Sequence, residues 1–143
     1  MSTLLGAINA SASALDVQRA RMEVAVSNLA NAESTRGPDG QPYRRRAVVL
    51  ETASTDGDRA FDVQAQPDGV RVAGIVEDQT PFRRRYEPSH PDADADGFVA
   101  VPNVDVPEEM VDMLGAARAY QANLTAIGLI RDTIQRALDL AKT

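Results

Sequence analysis

Met113 to Ala141 reads MLGAARAYQANLTAIGLIRDTIQRALDLA, and its spacing decides the fold. Met113, Tyr120, Ile127, Ile134 and Ala141 recur at every seventh position. Met110, Ala117, Leu124, Ile130 and Leu138 fill out the stripe. A seven-residue apolar repeat keeps one side of a helix turned toward a partner helix. The small residues Gly115, Ala116, Ala119 and Ala122 permit close approach. The start signal is Asp105-Val106-Pro107-Glu108: an Asp cap, a Glu three residues on, and a proline in the first turn. The predicted helix runs from there nearly to Lys142.

The amino-terminal end mirrors this pattern. Ile8, Leu15, Met22 and Leu29 also recur at every seventh residue, joined by Ala12 and Val26. One helix is predicted from Thr3 to Glu33, roughly 45 Å long at about 1.5 Å per residue. Asp16, Gln18, Glu23 and Ser27 fall largely on other sides of it. Arg19 interrupts the stripe, but its aliphatic stem can lie along it with the charge outward. No strong breaker occurs before Gly37-Pro38. Leu4, Leu5 and Val24 in the first helix, and Leu129 and Leu140 in the second, add apolar surface beyond one stripe, which invites further partners.

The middle has another texture. Arg36-Gly37-Pro38-Asp39-Gly40-Gln41-Pro42 is turn chemistry. Short runs rich in Val, Ile, Phe and Tyr follow at Arg46 to Thr52, Phe61 to Ala65, Gly69 to Glu77, Phe82 to Tyr86 and Gly97 to Val101. They predict strands joined by hairpins, with a slip near Gly74 and a polar loop over Thr52 to Arg59. The expected fold class is α+β: long terminal helices packed as an antiparallel coiled-coil-like pair, with a small β-rich middle. The expected division is 1–35, 36–102 and 103–143.

Composition narrows the function. The chain is 43% hydrophobic but only 4% aromatic, without tryptophan, so its core is thin and gains from burial against other subunits. A net charge of −6 opposes general affinity for nucleic acid or an anionic membrane. Cysteine is absent, which excludes disulfides, thiolate metal sites and thiol nucleophiles. The first ten residues lack the basic flank of a cleavable signal peptide. No run approaches the roughly 18 apolar residues of a spanning helix.

Asp92-Ala93-Asp94-Ala95-Asp96-Gly97 matches the first half of a calcium loop. Asn103 stands where the bidentate glutamate belongs, and Pro88, Pro91 and Pro102 forbid the flanking helices. The reading is a solvated acidic turn leading into a strand. The single histidine, His90, has no cysteine partners and reads as a surface loop residue. No nucleophile-elbow or phosphate-loop motif is present. No cofactor, metal or catalytic residue is expected. Arg44-Arg45-Arg46 and Arg83-Arg84-Arg85 lie on strand-like segments, and pairing with the acidic loops or with an interface fits them better than nucleic acid.

Several of these stretches resemble one family. Ser27-Asn28-Leu29-Ala30-Asn31-Ala32-Glu33-Ser34-Thr35 resembles the Asn-Leu-Ala-Asn signature of flagellar rod, hook and related axial proteins. Asn103-Val104-Asp105-Val106 with Glu109-Met110 resembles the start of that family's carboxy-terminal helix. Arg118-Ala119-Tyr120-Gln121-Ala122-Asn123 resembles its Tyr-Gln-Ala-Asn core. The link Gly37 to Arg44, Tyr86-Glu87-Pro88 and the run Asp92 to Pro102 resemble its proximal-rod branch. Nearly the whole chain is covered, with the least match over Glu51 to Gly69 and after Ile130.

The resemblance implies a non-enzymatic subunit of the flagellar basal-body rod. It implies delivery through the type III export gate, assembly in the periplasmic space, terminal helices forming a tubular core, and torque transmission. The implied partners are other rod proteins (FlgB, FlgF, FlgG), the export-gate adaptor FliE, and copies of the chain itself. Ile8, Leu15, Met22, Val26, Leu29, Met110, Met113, Ala117, Tyr120, Leu124, Ile127 and Ile134 are the expected subunit-packing residues. Asn28, Asn31, Asn103, Asp105, Gln121 and Asn123 are the signature polar residues, with the Asn28, Asn31, Gln121 and Asn123 amides expected to cap or cross-link helices. The competing reading is a soluble calcium- or ligand-binding module with helical dimerisation ends; a hydrolase is a distant third.

Overall fold

A computed structural model of the chain describes residues 2–53 and 69–141. The order is α1 (Ser2–Ala30), β1 (Arg46–Ala53), β2 (Gly69–Glu77), β3 (Arg83–Tyr86), β4 (Phe98–Val101) and α2 (Val106–Leu140). This is the expected α+β arrangement. The strand expected at Phe61 to Ala65, and the polar loop from Ser54 on, lie outside the described residues.

Both helices end where local chemistry dictates. The α1 helix stops at Ala30, three residues short of the expected Glu33. The Asn31 side chain donates to the Ser27 carbonyl at 2.9 Å and draws the chain out of the helix. The α2 helix starts as expected: the Asp105 carboxylate accepts from the Glu108 N–H, and Pro107 lies in the first turn. The last turn of α1 meets the first turn of α2 through Asn28 and Glu109, and the two helices pack along each other, so they run antiparallel.

The strands form two separate antiparallel pairs, β1 with β2 and β3 with β4. Val49 pairs with Gly74 and Leu50 with Val72, so Ala73 is an extra residue: the irregularity expected near Gly74 is a bulge. The β1–β2 ribbon packs on α1. Its corner is Gly69, at φ +154°, whose Cα lies so close to α1 that an added Cβ would run into the Ser13 side chain. Ser13 Oγ donates to Ala10 O at 2.9 Å and accepts the Val70 N–H at 3.1 Å, tying the ribbon to the helix.

The calcium-like run between β3 and β4 is a tight turn. Asp94 Oδ1 accepts the N–H of Asp96 at 3.0 Å and of Phe98 at 2.8 Å, and Gly97 takes φ +81°. Asp92 accepts from Thr35 at 2.9 Å and pairs with Arg36. Tyr86 and Phe98 meet edge to face at 5.3 Å across the strand pair. The buried side chains fall in three groups: Val17 and Val24 on the side of α1 that carries Ser13; Ala25, Asn28, Glu109 and Ala116 on the helix pair; and Val99, Val101, Pro102, Asn103 and Val104 along β4 and the chain after it.

Candidate functional site: a buried polar junction on a two-faced helix pair

Close packing of small side chains brings the helices together where the first ends and the second begins. Asn28 is fully buried there, and Glu109 is 2% exposed. Burying such groups is costly unless every donor and acceptor finds a partner. Asn28 meets the condition. Its Nδ2 donates to Arg46 O at 2.9 Å and to Glu109 Oε2 at 2.9 Å; its Oδ1 accepts from Arg46 N at 2.9 Å and from the Tyr43 hydroxyl at 2.9 Å. The amide thus pairs with the backbone of Arg46 as a neighbouring strand would.

Glu109 is held from its other oxygen by Arg45 Nε, and Arg45 reaches Asp112 at 3.7 Å. Burial works against the Arg45 charge. The Glu109 hydrogen bond, with the charges of Glu109, Glu108 and Asp112, outweighs it and raises the pKa. Asn103 closes the junction: its Oδ1 accepts the Arg45 N–H at 2.8 Å, and its Nδ2 donates to Thr80 Oγ1 at 2.8 Å and Asp78 O at 3.2 Å. Both helices, β1 and the chain leaving β2 therefore meet in one network.

The arginine triplets pair within the chain. Arg46 meets Glu77, Arg83 meets Asp105, Arg84 meets Asp94, and Arg85 meets Glu33 and Glu87. Arg44 stacks 4.3 Å from the Phe82 ring centroid. Asp105 has two duties. The Glu108 N–H, and then Arg83, hold its carboxyl below the usual range.

Of the expected packing residues, Ile8, Leu15, Met22, Leu29, Met113, Tyr120, Ile127 and Ile134 are half-buried, while Val26, Met110, Ala117 and Leu124 face solvent. Asn31 caps α1, Asn123 donates to the Ala119 carbonyl of its own helix at 2.9 Å, and Gln121 is exposed. Tyr43, Arg45 and Glu109 were not expected in the site. One signal for Glu109 exists: 109, 113, 116, 120, 123, 127, 130 and 134 alternate three and four apart, so Glu109 continues the seam.

Outside that seam α2 is apolar on two more flanks. Met110, Leu114, Ala117 and Leu124 share one, and Val111, Leu129 and Leu140 another. Val111 is 70% and Leu140 79% exposed. Among the described residues no helix is long and apolar enough to cross a membrane, and no His, Cys, Asp and Glu group could hold a metal ion.

An antiparallel pair of long helices with apolar outer flanks, carrying a small β insert, has the form of a structural subunit that packs against neighbours. Comparison with known proteins identifies which. Residues 95–140 match the family model described as flagellar basal body rod FlgEFG protein C-terminal. The flagellar basal-body rod protein FlgC of Escherichia coli O157:H7 is 43% identical over 97% of this chain and 98% of that protein. Those of Salmonella typhimurium and Bacillus subtilis are 42% and 40% identical, over 97% and 98% of this chain and 98% and 99% of theirs. The chain belongs to the FlgC family of flagellar basal-body rod proteins. It is a structural component of the flagellar basal body, in the periplasm.

Proposed function

We propose that the chain builds the proximal rod by packing the outer flanks of its helix pair against copies of itself and against other rod proteins, among them FlgB, FlgF, FlgG and the adaptor FliE. In this reading 1–35 and 103–143 form the rod core and 36–102 an outer domain. The chain arrives by type III export, which a thinly cored polypeptide without disulfides can pass unfolded. It gains order by burying apolar area at about 25 cal/mol per Å². Val26, Met110, Ala117 and Leu124 face neighbours; Ile8, Leu15, Met22, Leu29, Met113, Tyr120, Ile127 and Ile134 are shared between the pair and its surroundings. A core so bundled transmits torque because its side chains interlock.

The observation that carries the reading is the apolar surface of α2: Met110, Val111, Leu114, Leu124 and Leu129 are each more than two-fifths exposed on one helix. Incorporation tests it. A tagged wild-type chain should co-purify with basal bodies and restore swimming to a strain lacking the native protein. A Leu114→Asp, Leu124→Asp double variant should be secreted, remain folded and fail to incorporate. Normal incorporation of that variant would remove the outer flank from the account.

A further inference from the structure

The two helical seams repeat themselves, and that creates an ambiguity the apolar residues cannot resolve. Ile8, Leu15, Met22 and Leu29 are half-buried on α1, Met113, Tyr120, Ile127 and Ile134 are half-buried on α2, and the two helices pack along each other. Slide one helix past the other by seven residues and similar side chains meet again. The buried apolar residues on the helix-facing sides, Ala25 and Ala116, are small and would not block the slide. A seven-residue slip is a displacement of about 10.5 Å. Repeating seams of this kind need a polar mark to select one register.

Asn28 and Glu109 are the two fully buried polar side chains within the described helices, and neither recurs at heptad spacing in the neighbouring turn. Seven residues before Asn28 stands Arg21, and seven after Glu109 stands Ala116. A slip one way sets Ala116 against Asn28 and carries Glu109 past the end of α1. The opposite slip sets Arg21 against Glu109 and carries Asn28 past the start of α2. Either one strands a buried polar group that now has partners at 2.9 Å. The same Asn28 amide holds the backbone of Arg46 through both its N–H and its carbonyl. Arg45, next to it, holds Glu109.

We infer that the Asn28–Glu109 pair is a register pin: it selects one of several near-equivalent alignments of the helix pair and fixes the β1–β2 ribbon to that alignment. The pair works in the lone chain, whatever the helices later dock against. Its distinctive contribution is choice of alignment; a buried polar pair is by itself weak evidence of net stability.

The test reads alignment and stability separately. The natural chain has no cysteine, so Asn9→Cys and Arg118→Cys place two nitroxide labels cleanly at exposed positions on opposite helices. Electron–electron distance measurement on the otherwise wild-type chain should give one narrow peak. An Asn28→Leu, Glu109→Leu chain should keep its helical circular dichroism, melting lower because Arg45 and the Arg46 backbone lose their partners, while a second peak appears, displaced by up to about 10 Å. Where leucine is too large, alanine at both positions carries the same expectation for the distances. A Glu109→Gln chain, which can still accept from Asn28, should retain the single peak. One unshifted narrow peak in both the leucine and the alanine chains would overturn the pin. So would loss of helical signal in both, since the pair would then hold the fold itself and not its alignment.

Discussion

The two ends of the helix pair are built on different principles. At the junction end, Asn28 and Glu109 are buried beside Ala25 and Ala116, and four segments of chain meet through named hydrogen bonds. At the far end no residue of α1 from Leu4 to Asp16, and none of α2 from Ala117 to Ala141, is fully buried. One end is completed by its own polypeptide through directional polar contacts. The other, apart from the Ser13–Val70 hydrogen bond that ties the ribbon to α1, offers non-directional apolar surface. A protein that must arrive as a single chain and end as part of a wall gains from this division: the junction fixes the shape of the unit, and the far end leaves its coverage to neighbours.

The contrast can be broken most severely at Glu109. Glu109→Ala leaves Arg45 and Asn28 facing a buried gap, and the chain should lose about 3–5 kcal/mol in urea unfolding. A loss below 1 kcal/mol would mean that the junction is far wetter than its burial indicates. Gly69→Ala should come next. Its Cβ would meet Ser13 on α1, and its φ of +154° suits no side chain, so a cost of about 1–3 kcal/mol and a lowered Tm are expected.

Acid should act more gently, through three carboxylates that accept backbone hydrogen bonds. Asp78 is held low by the Thr80 N–H and hydroxyl, Asp94 by the Phe98 N–H, and Asp105 by the Glu108 N–H and then Arg83. Each of these groups binds its proton more readily in the unfolded chain. The stability they contribute is therefore full above the ordinary carboxylate pKa of about 3.9 and is lost as pH falls through the lowered folded values. Tm should be flat from about pH 7 to 5 and drop below about pH 4. Asp105→Asn should shallow that drop.

The smallest effect on folding is expected at the far end. Leu124 is 42% exposed, so Leu124→Asp should cost about 1 kcal/mol and leave the chain folded. It should nevertheless abolish motility. A variant that swims normally would sharpen the contrast in the other direction, by showing that this flank stays uncovered in the rod.

Legibility in the sequence follows the same division. The start of α2 is readable because capping is local: Asp105 and Glu108 lie three residues apart. The bulge is readable because Gly74 interrupts an alternation within one strand. Heptad spacing identifies Met113, Tyr120, Ile127 and Ile134, since period alone sets a helix face. The junction is not readable in this way. Asn28 reaches Glu109 across 81 positions and Arg45 reaches it across 64, so no local pattern announces the contact. A glutamate beside another glutamate also reads as solvated helix surface; only its place three and four residues from its seam neighbours marks it. The pairing of the arginine triplets with acids is legible in kind, from charge balance, while the individual partners depend on where the chain turns back.

The placing of the polar contacts of α2 at its first turns has a geometric consequence. At 35 residues it extends about 52 Å beyond its cap. Length magnifies any error of aim at the junction: ten degrees of tilt of the helix pair there displaces its far tip by about 9 Å, the whole spacing between packed helices. The tolerance of the distant contacts is therefore set at the base, by the aim of a few short hydrogen bonds.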